Sequence, residues 1–196
     1  MVAETPSALL PCDAPIADLL ESAIGACARR HRLPVDVVVR QLEAGDRALH
    51  SSFRYCIAKE LSAYFASLGT VFHAVYVYGS SIGQESNPAS DIDIIVVVAA
   101  KRDEVIRFLR RLDLALAVHF RRLIGSNRYP ASLLDVLVLD DSERGHPELP
   151  SGPMHGLHTR PICLLQERPE SPKAVACKSE RTFGGAKNSA AAASER

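Results

Sequence analysis

Residues 91–98 read Asp-Ile-Asp-Ile-Ile-Val-Val-Val, and this run constrains the fold more than any other part of the chain. After its two carboxylates it is apolar on both faces, so as a strand it must be covered on both sides and lie centrally in a sheet. Its neighbours fit that frame. Val71–Tyr78 is rich in β-branched and aromatic residues and stops at Gly79-Ser80-Ser81, which predicts a strand followed by a tight turn. Asn87-Pro88 marks a loop, and Leu133–Leu139 predicts a third strand with Asp135 near its start.

Between and before these strands the apolar spacing changes to three and four. Leu49, Phe53, Ile57, Leu61, Tyr64, Phe65 and Leu68 form one helical stripe, with Asp46 placed to cap its start and Gly69 to end it. Val105, Phe108, Leu109, Leu112, Leu116, Phe120 and Leu123 form another, ended by Gly125, whose opposite face carries Arg107, Arg110, Arg111, Arg121 and Arg122. Ile16, Leu19, Leu20, Ala23, Ile24 and Cys27 give a third, with Asp13 or Asp18 at its start and Arg29, Arg30 and His31 at its end. Val35–Leu42 stays open between helix and strand, because its valines favour strand whereas its length and flanks favour helix. The expected class is α/β (α+β), a mixed twisted sheet covered by helices. The expected division is a helical extension at 1–45, a core at 46–141 and an irregular tail at 142–196, mostly disordered from about 145 because Pro, Gly and low-complexity Ala replace any periodicity.

Composition narrows the function classes. The 23 basic and 23 acidic side chains cancel over 196 residues, so no global field draws the chain to nucleic acid or to an anionic membrane. The arginine face of residues 107–122 then reads as a solvated helix surface before it reads as an RNA-binding stripe. No apolar run approaches the roughly 18 residues of a membrane span. The N-terminal residues lack the basic start and apolar segment of a secretory signal, and a cytoplasmic protein is expected. The five cysteines include no CxxC pair, and Cys27 and Cys56 fall on apolar helix faces, where small buried hydrophobes are expected. His146, His155, His158 and Cys163 match no standard zinc spacing.

The chemistry concentrates in Tyr78-Gly79-Ser80, ten further residues, and Asp91-Ile92-Asp93-Ile94. On a strand, residues two apart share a face, so Asp91 and Asp93 project together. Carboxylates that close repel, and a divalent cation relieves the repulsion; hard oxygen ligands favour Mg²⁺ or Mn²⁺. A glycine turn leaving the preceding strand can aim backbone amides at a phosphate, and Ser80 or Ser81 adds a hydroxyl. Asp135, a carboxylate in an apolar strand, can complete a three-carboxylate site of the kind that serves phosphoryl or nucleotidyl transfer with two metals. Asp140 and Asp141, at the far end of that strand, are its rivals.

This pattern resembles the signature of the DNA polymerase β-like nucleotidyltransferase superfamily: Gly, then Gly or Ser, a spacer near ten, then Asp, apolar, Asp or Glu, apolar. It is expected by chance in on the order of one chain per thousand of this size, so the pairing of the two halves carries the reading, not either half alone. The likeness is greatest to the minimal nucleotidyltransferases and covers roughly residues 46 to 141. It implies a nucleotidyltransferase core in which Gly79, Ser80 and Ser81 bind the nucleotide, Asp91 and Asp93 bind both metals, and Asp135 binds the catalytic metal and helps to deprotonate the acceptor hydroxyl. Many members place an Arg three residues after the motif Ser, whereas this chain has Gly83, and between Tyr55 and Lys101 its only basic side chain besides histidine is Lys59. Triphosphate charge would then be met by metals, helix amides or the arginines from Arg102 onward.

The resemblance implies an enzyme that moves a nucleoside monophosphate, AMP from ATP in the first instance, onto a hydroxyl with Mg²⁺ or Mn²⁺. One version resembles the antitoxins that adenylylate a tyrosine of a HEPN-type ribonuclease toxin, which makes such a toxin an expected partner. Another resembles the antibiotic nucleotidyltransferases, which usually carry a further folded C-terminal domain. The alternative is a binding module that keeps the fold without turnover and acts through a protein partner.

Overall fold

In the computed structural model, which describes residues 16–83, 86–125, 131–140, 143 and 160–166, the central run takes the central place expected of it. The described elements follow in the order α1 (Ile16–His31), α2 (Val35–Glu43), α3 (Arg47–Ser67), β1 (Phe72–Val77), α4 (Ser80–Gly83), β2 (Ile92–Val98), α5 (Asp103–Ile124), β3 (Leu134–Asp140) and β4 (Ile162–Gln166). The strands form one mixed sheet in the order β3-β2-β1-β4. β2 is antiparallel to β1 and parallel to β3, and α5 makes the crossover that a parallel pair requires. Every residue of β2 except Asp93 is buried.

Alternation along the strands sorts the sheet into two faces. Val75 and Val77 of β1, Ile92, Ile94, Val96 and Val98 of β2, and Leu134 of β3 join one core with the buried residues of α1, α2, α3 and α5. An irregularity between Phe72 and Ala74 brings Phe72 onto this same face. There Phe72 stacks on Phe65 of α3, with ring centroids 4.6 Å apart, while Phe53 of α3 stacks on Phe120 of α5 at 5.6 Å. Asp93 and Asp135 are out of phase with these residues and therefore belong to the other face.

The helix ends follow local chemistry. Asp46 accepts a hydrogen bond from the Leu49 amide at 2.9 Å and caps α3, while Gly125 adopts φ 71° at the end of α5, a left-handed conformation suited to glycine. The open segment is the helix α2, because only Val38 and Leu42, four residues apart, are buried, and Val35 stays exposed. Cys27 and Cys56 are buried thiols, and burial pushes Cys27 up to about 12.

One part of the chain departs from expectation. Residues 142–196 were expected to be irregular, yet Ile162–Gln166 pairs antiparallel with β1 as β4. Five residues show too little periodicity to be read as a strand, and the pairing partner lies more than 80 positions away. The rest of that tail except Glu143, Arg160 and Pro161, together with His146, His155, His158, Asp141 and the N-terminal residues before Ile16, lies outside the described residues. No described helix is long and apolar enough to cross a membrane.

Candidate metal and nucleotide site

Parallel pairing of β2 with β3 sets Asp93 directly beside Asp135. Asp91 stands two residues before Asp93, so it projects to the same side. Ligand oxygens of Asp91, Asp93 and Asp135 all lie within 4.8 Å of one another, close enough to share a cation. Asp91 and Asp135 are exposed and Asp93 is half-buried. The rival Asp140 pairs with Val98 at the opposite end of the strand and accepts a hydrogen bond from the Glu143 amide, so it takes no part in this cluster.

The electrostatics identify Asp93 as the strained member. Burial first, then the charges of Asp91 and Asp135, push its carboxyl up to about 6, against the hydrogen bonds it accepts from its own amide and that of Ser80. The same three carboxylates, after burial, raise the Tyr78 phenol. An added positive charge at the cluster would therefore do favourable work on Asp93. The donor set, three carboxylates with two open to solvent, fits a hard divalent ion such as Mg²⁺ or Mn²⁺.

Gly79 forms the opposite wall. It holds φ +70°, and a Cβ built there would run into the Asp93 carboxylate, reaching 2.8 Å from its Cγ and closer still to Oδ2. Only a residue without a side chain lets the turn and the carboxylate come together. The amides of Ile82 and Gly83 then bond back to the Gly79 carbonyl at 3.1 and 3.3 Å, closing the single turn α4. Of the turn amides expected to face a phosphate, that of Ser80 donates to Asp93. Its hydroxyl accepts from Ser86 at 3.2 Å and keeps its own proton to donate. Ser81 is only 3% exposed, and its Oγ has no hydrogen-bond partner among the described residues.

Residues of α3 that no sequence motif marks stand behind this site. Ser51 donates to the Ser80 carbonyl at 3.1 Å and accepts from the Ser86 amide at 3.0 Å. Arg54 is fully buried, donates to the Ser90 carbonyl from Nε at 3.1 Å and Nη2 at 2.8 Å, and reaches Pro88 at 3.3 Å. His50 receives a further Arg54 hydrogen bond on Nδ1 at 2.9 Å while its Nε2 meets the Leu42 carbonyl at 2.9 Å. A carbonyl only accepts, so the proton sits on Nε2 and the ring is neutral. Burial, with the Arg54 charge second, lowers His50 to about 4. The available signal was positional: His50 and Arg54 lie four apart beside the Leu49–Phe53 stripe, in a helix whose first half is buried on more than one face.

A groove of about 230 Å³ lies between α5 and β3, lined by Leu109, Arg110 and Asp113 with Leu134, Val136 and Val138. It opens on the helix-covered face of the sheet and is separate from the carboxylates. No family model, no curated protein and no solved structure matches the chain.

Proposed function

We propose that this protein is a metal-dependent nucleotidyltransferase, with a nucleoside triphosphate as donor and a hydroxyl group as acceptor. The observation that carries the reading is the convergence of Asp91, Asp93 and Asp135 from adjacent strand starts onto a turn whose glycine permits contact with Asp93. Asp91, Asp93 and Asp135 would hold Mg²⁺ or Mn²⁺, which when bound supplies positive charge to offset that of the phosphates and to stabilise their transition state. The acceptor oxygen attacks the α-phosphorus, the bond from that phosphorus to the bridging oxygen breaks, and pyrophosphate leaves. The exposed carboxylate of Asp135 takes the proton of the acceptor hydroxyl. The Ser80 hydroxyl donates to a phosphate oxygen, while Gly79 keeps the turn against Asp93.

Several features support this reading over a binding module that merely retains such a fold. A module has no need for three adjacent carboxylates, and the raised Asp93 is an unfavourable arrangement that a bound cation would repay. The test is a thermal-shift titration with each of the four NTPs, ATP first, with and without Mg²⁺, beside Asp91→Ala and Asp93→Ala. A Mg²⁺-dependent shift lost in both variants is expected. Folded protein that responds to no NTP would reject the enzyme, and with it a HEPN-type toxin as acceptor, and direct attention to protein partners of the N-terminal helices.

A further inference from the structure

The two halves of the site are separated by a loop, and α3 grips that loop at both ends. Ser51 holds the Ser80 carbonyl and the Ser86 amide on one side. One turn later Arg54 holds the Pro88 and Ser90 carbonyls, immediately before Asp91, on the other. Between them the loop has its own turn, in which the Asn87 side chain accepts from the Ala89 amide at 2.8 Å and the Ser90 hydroxyl accepts from the Asn87 amide at 2.9 Å. Arg54 is anchored from behind by neutral His50 and lies over the Phe120 ring of α5, 5.6 Å from its centroid.

A fully buried guanidinium is costly to desolvate, and a long apolar side chain would fill the same volume at less cost. What the apolar chain could not do is bond carbonyls on the segment that leads into Asp91. The donor fork also distinguishes Arg from Lys, since one ammonium cannot reproduce Nε and Nη2 converging on Ser90, with Nη2 also reaching Pro88, together with Nη1 on His50. The bonds to Pro88 and Ser90 end on backbone carbonyls, so through them Arg54 acts on the site by placing the backbone that leads into Asp91.

We infer that Arg54 is a positioning residue of the carboxylate site: from α3 it fixes the Pro88–Ser90 segment, and so the point at which Asp91 and Asp93 enter the sheet relative to the Ser80 turn. The inference rests on the metal-binding reading given above. It predicts that Arg54 governs cation affinity beyond its effect on stability, as outer-shell partners of metal ligands do.

The experiment titrates the full chain with Mn²⁺, read by the loss of the free-ion paramagnetic resonance signal, and measures urea midpoints in parallel. Wild type is compared with Arg54→Leu, Arg54→Lys, Phe53→Leu and Asp93→Asn. Phe53→Leu reports the effect of a weakened core one position away, where the side chain stacks on Phe120. Arg54→Leu is expected to bind Mn²⁺ at least about tenfold more weakly, with Arg54→Lys between it and wild type, while Phe53→Leu loses stability and keeps wild-type affinity. Should Arg54→Leu fail to fold, Arg54→Lys decides the question against Phe53→Leu. Arg54 variants that bind Mn²⁺ as wild type does, or Phe53→Leu weakening it equally, would overturn the inference and leave Arg54 a structural residue. Wild type that binds no Mn²⁺, or binds it undiminished in Asp93→Asn, would remove the metal site itself, a failure distinct from the previous one.

Discussion

Replacing Asp93 with Asn should stabilise the metal-free protein while abolishing its response to metal. The carboxyl is raised from 3.8 to about 6 in the fold, chiefly by burial and then by Asp91 and Asp135. A group raised in this way favours the fold in its protonated form. Its contribution is complete below the unfolded value and is lost as pH rises through about 6. The full shift corresponds to about 3 kcal/mol, which the partial exposure of the side chain reduces to about 1–2 kcal/mol. Asn is nearly isosteric, carries no charge, and can still accept from the Ser80 amide. Urea unfolding at pH 8 in chelator should therefore find the variant more stable than wild type by that amount, with the difference vanishing near the unfolded carboxyl pKa. Excess Mg²⁺ should reverse the order, because binding to the folded state alone adds about 2.7 kcal/mol at a hundredfold excess over Kd. A variant less stable than wild type in chelator, or one that keeps the full Mg²⁺ gain, would refute the electrostatic argument.

Three other outcomes follow from the same geometry. Gly79→Ala should lose the Mg²⁺-dependent gain in melting temperature, because its Cβ displaces the Asp93 carboxylate, whereas Gly69→Ala, at φ +76° with nothing within 4 Å, should lose only about 1 kcal/mol of stability and keep the gain. Asp135→Asn should weaken Mn²⁺ binding and Asp140→Asn should not, as calorimetric titration of both would show. His50, lowered from 6.5 to about 4, contributes stability that is full above 6.5 and lost as pH falls toward 4, by up to about 3 kcal/mol. Asp93 acts with opposite sign across nearly the same window, so urea midpoints from pH 7 to 4 should fall more steeply in Asp93→Asn than in wild type. An unchanged slope would contradict the Asp93 assignment, and midpoints of Asp93→Asn that do not fall from pH 7 to 4 would contradict that of His50.

The carboxylate pair was legible because strand alternation is a local rule: two residues apart means one face. Asp135 needed more, since its place beside Asp93 depends on the register of a parallel pair joined through a 22-residue helix. Periodicity alone left it level with Asp140 and Asp141. The grip of α3 was harder to see. Arg54 and Ser51 act on carbonyls and amides 29 to 36 positions away, and such bonds leave no trace in the spacing of either segment. β4 was missed for a related reason, because a five-residue apolar run has no meaning as a strand until β1 offers an unpaired edge.

The sequence by itself determined the local terms: the apolar central strand, the capped amphipathic helices, the glycine turn and the shared face of Asp91 and Asp93. Each follows from side-chain chemistry within a few residues, where backbone geometry sets the distances. Tertiary structure decided which third carboxylate joins the pair, that Val35–Glu43 is helical, that the sheet gains a fourth strand, and that a buried arginine stands behind the loop. Those outcomes depend on the register and packing of segments far apart in the chain, because electrostatic and hydrogen-bond partners are chosen by distance in space.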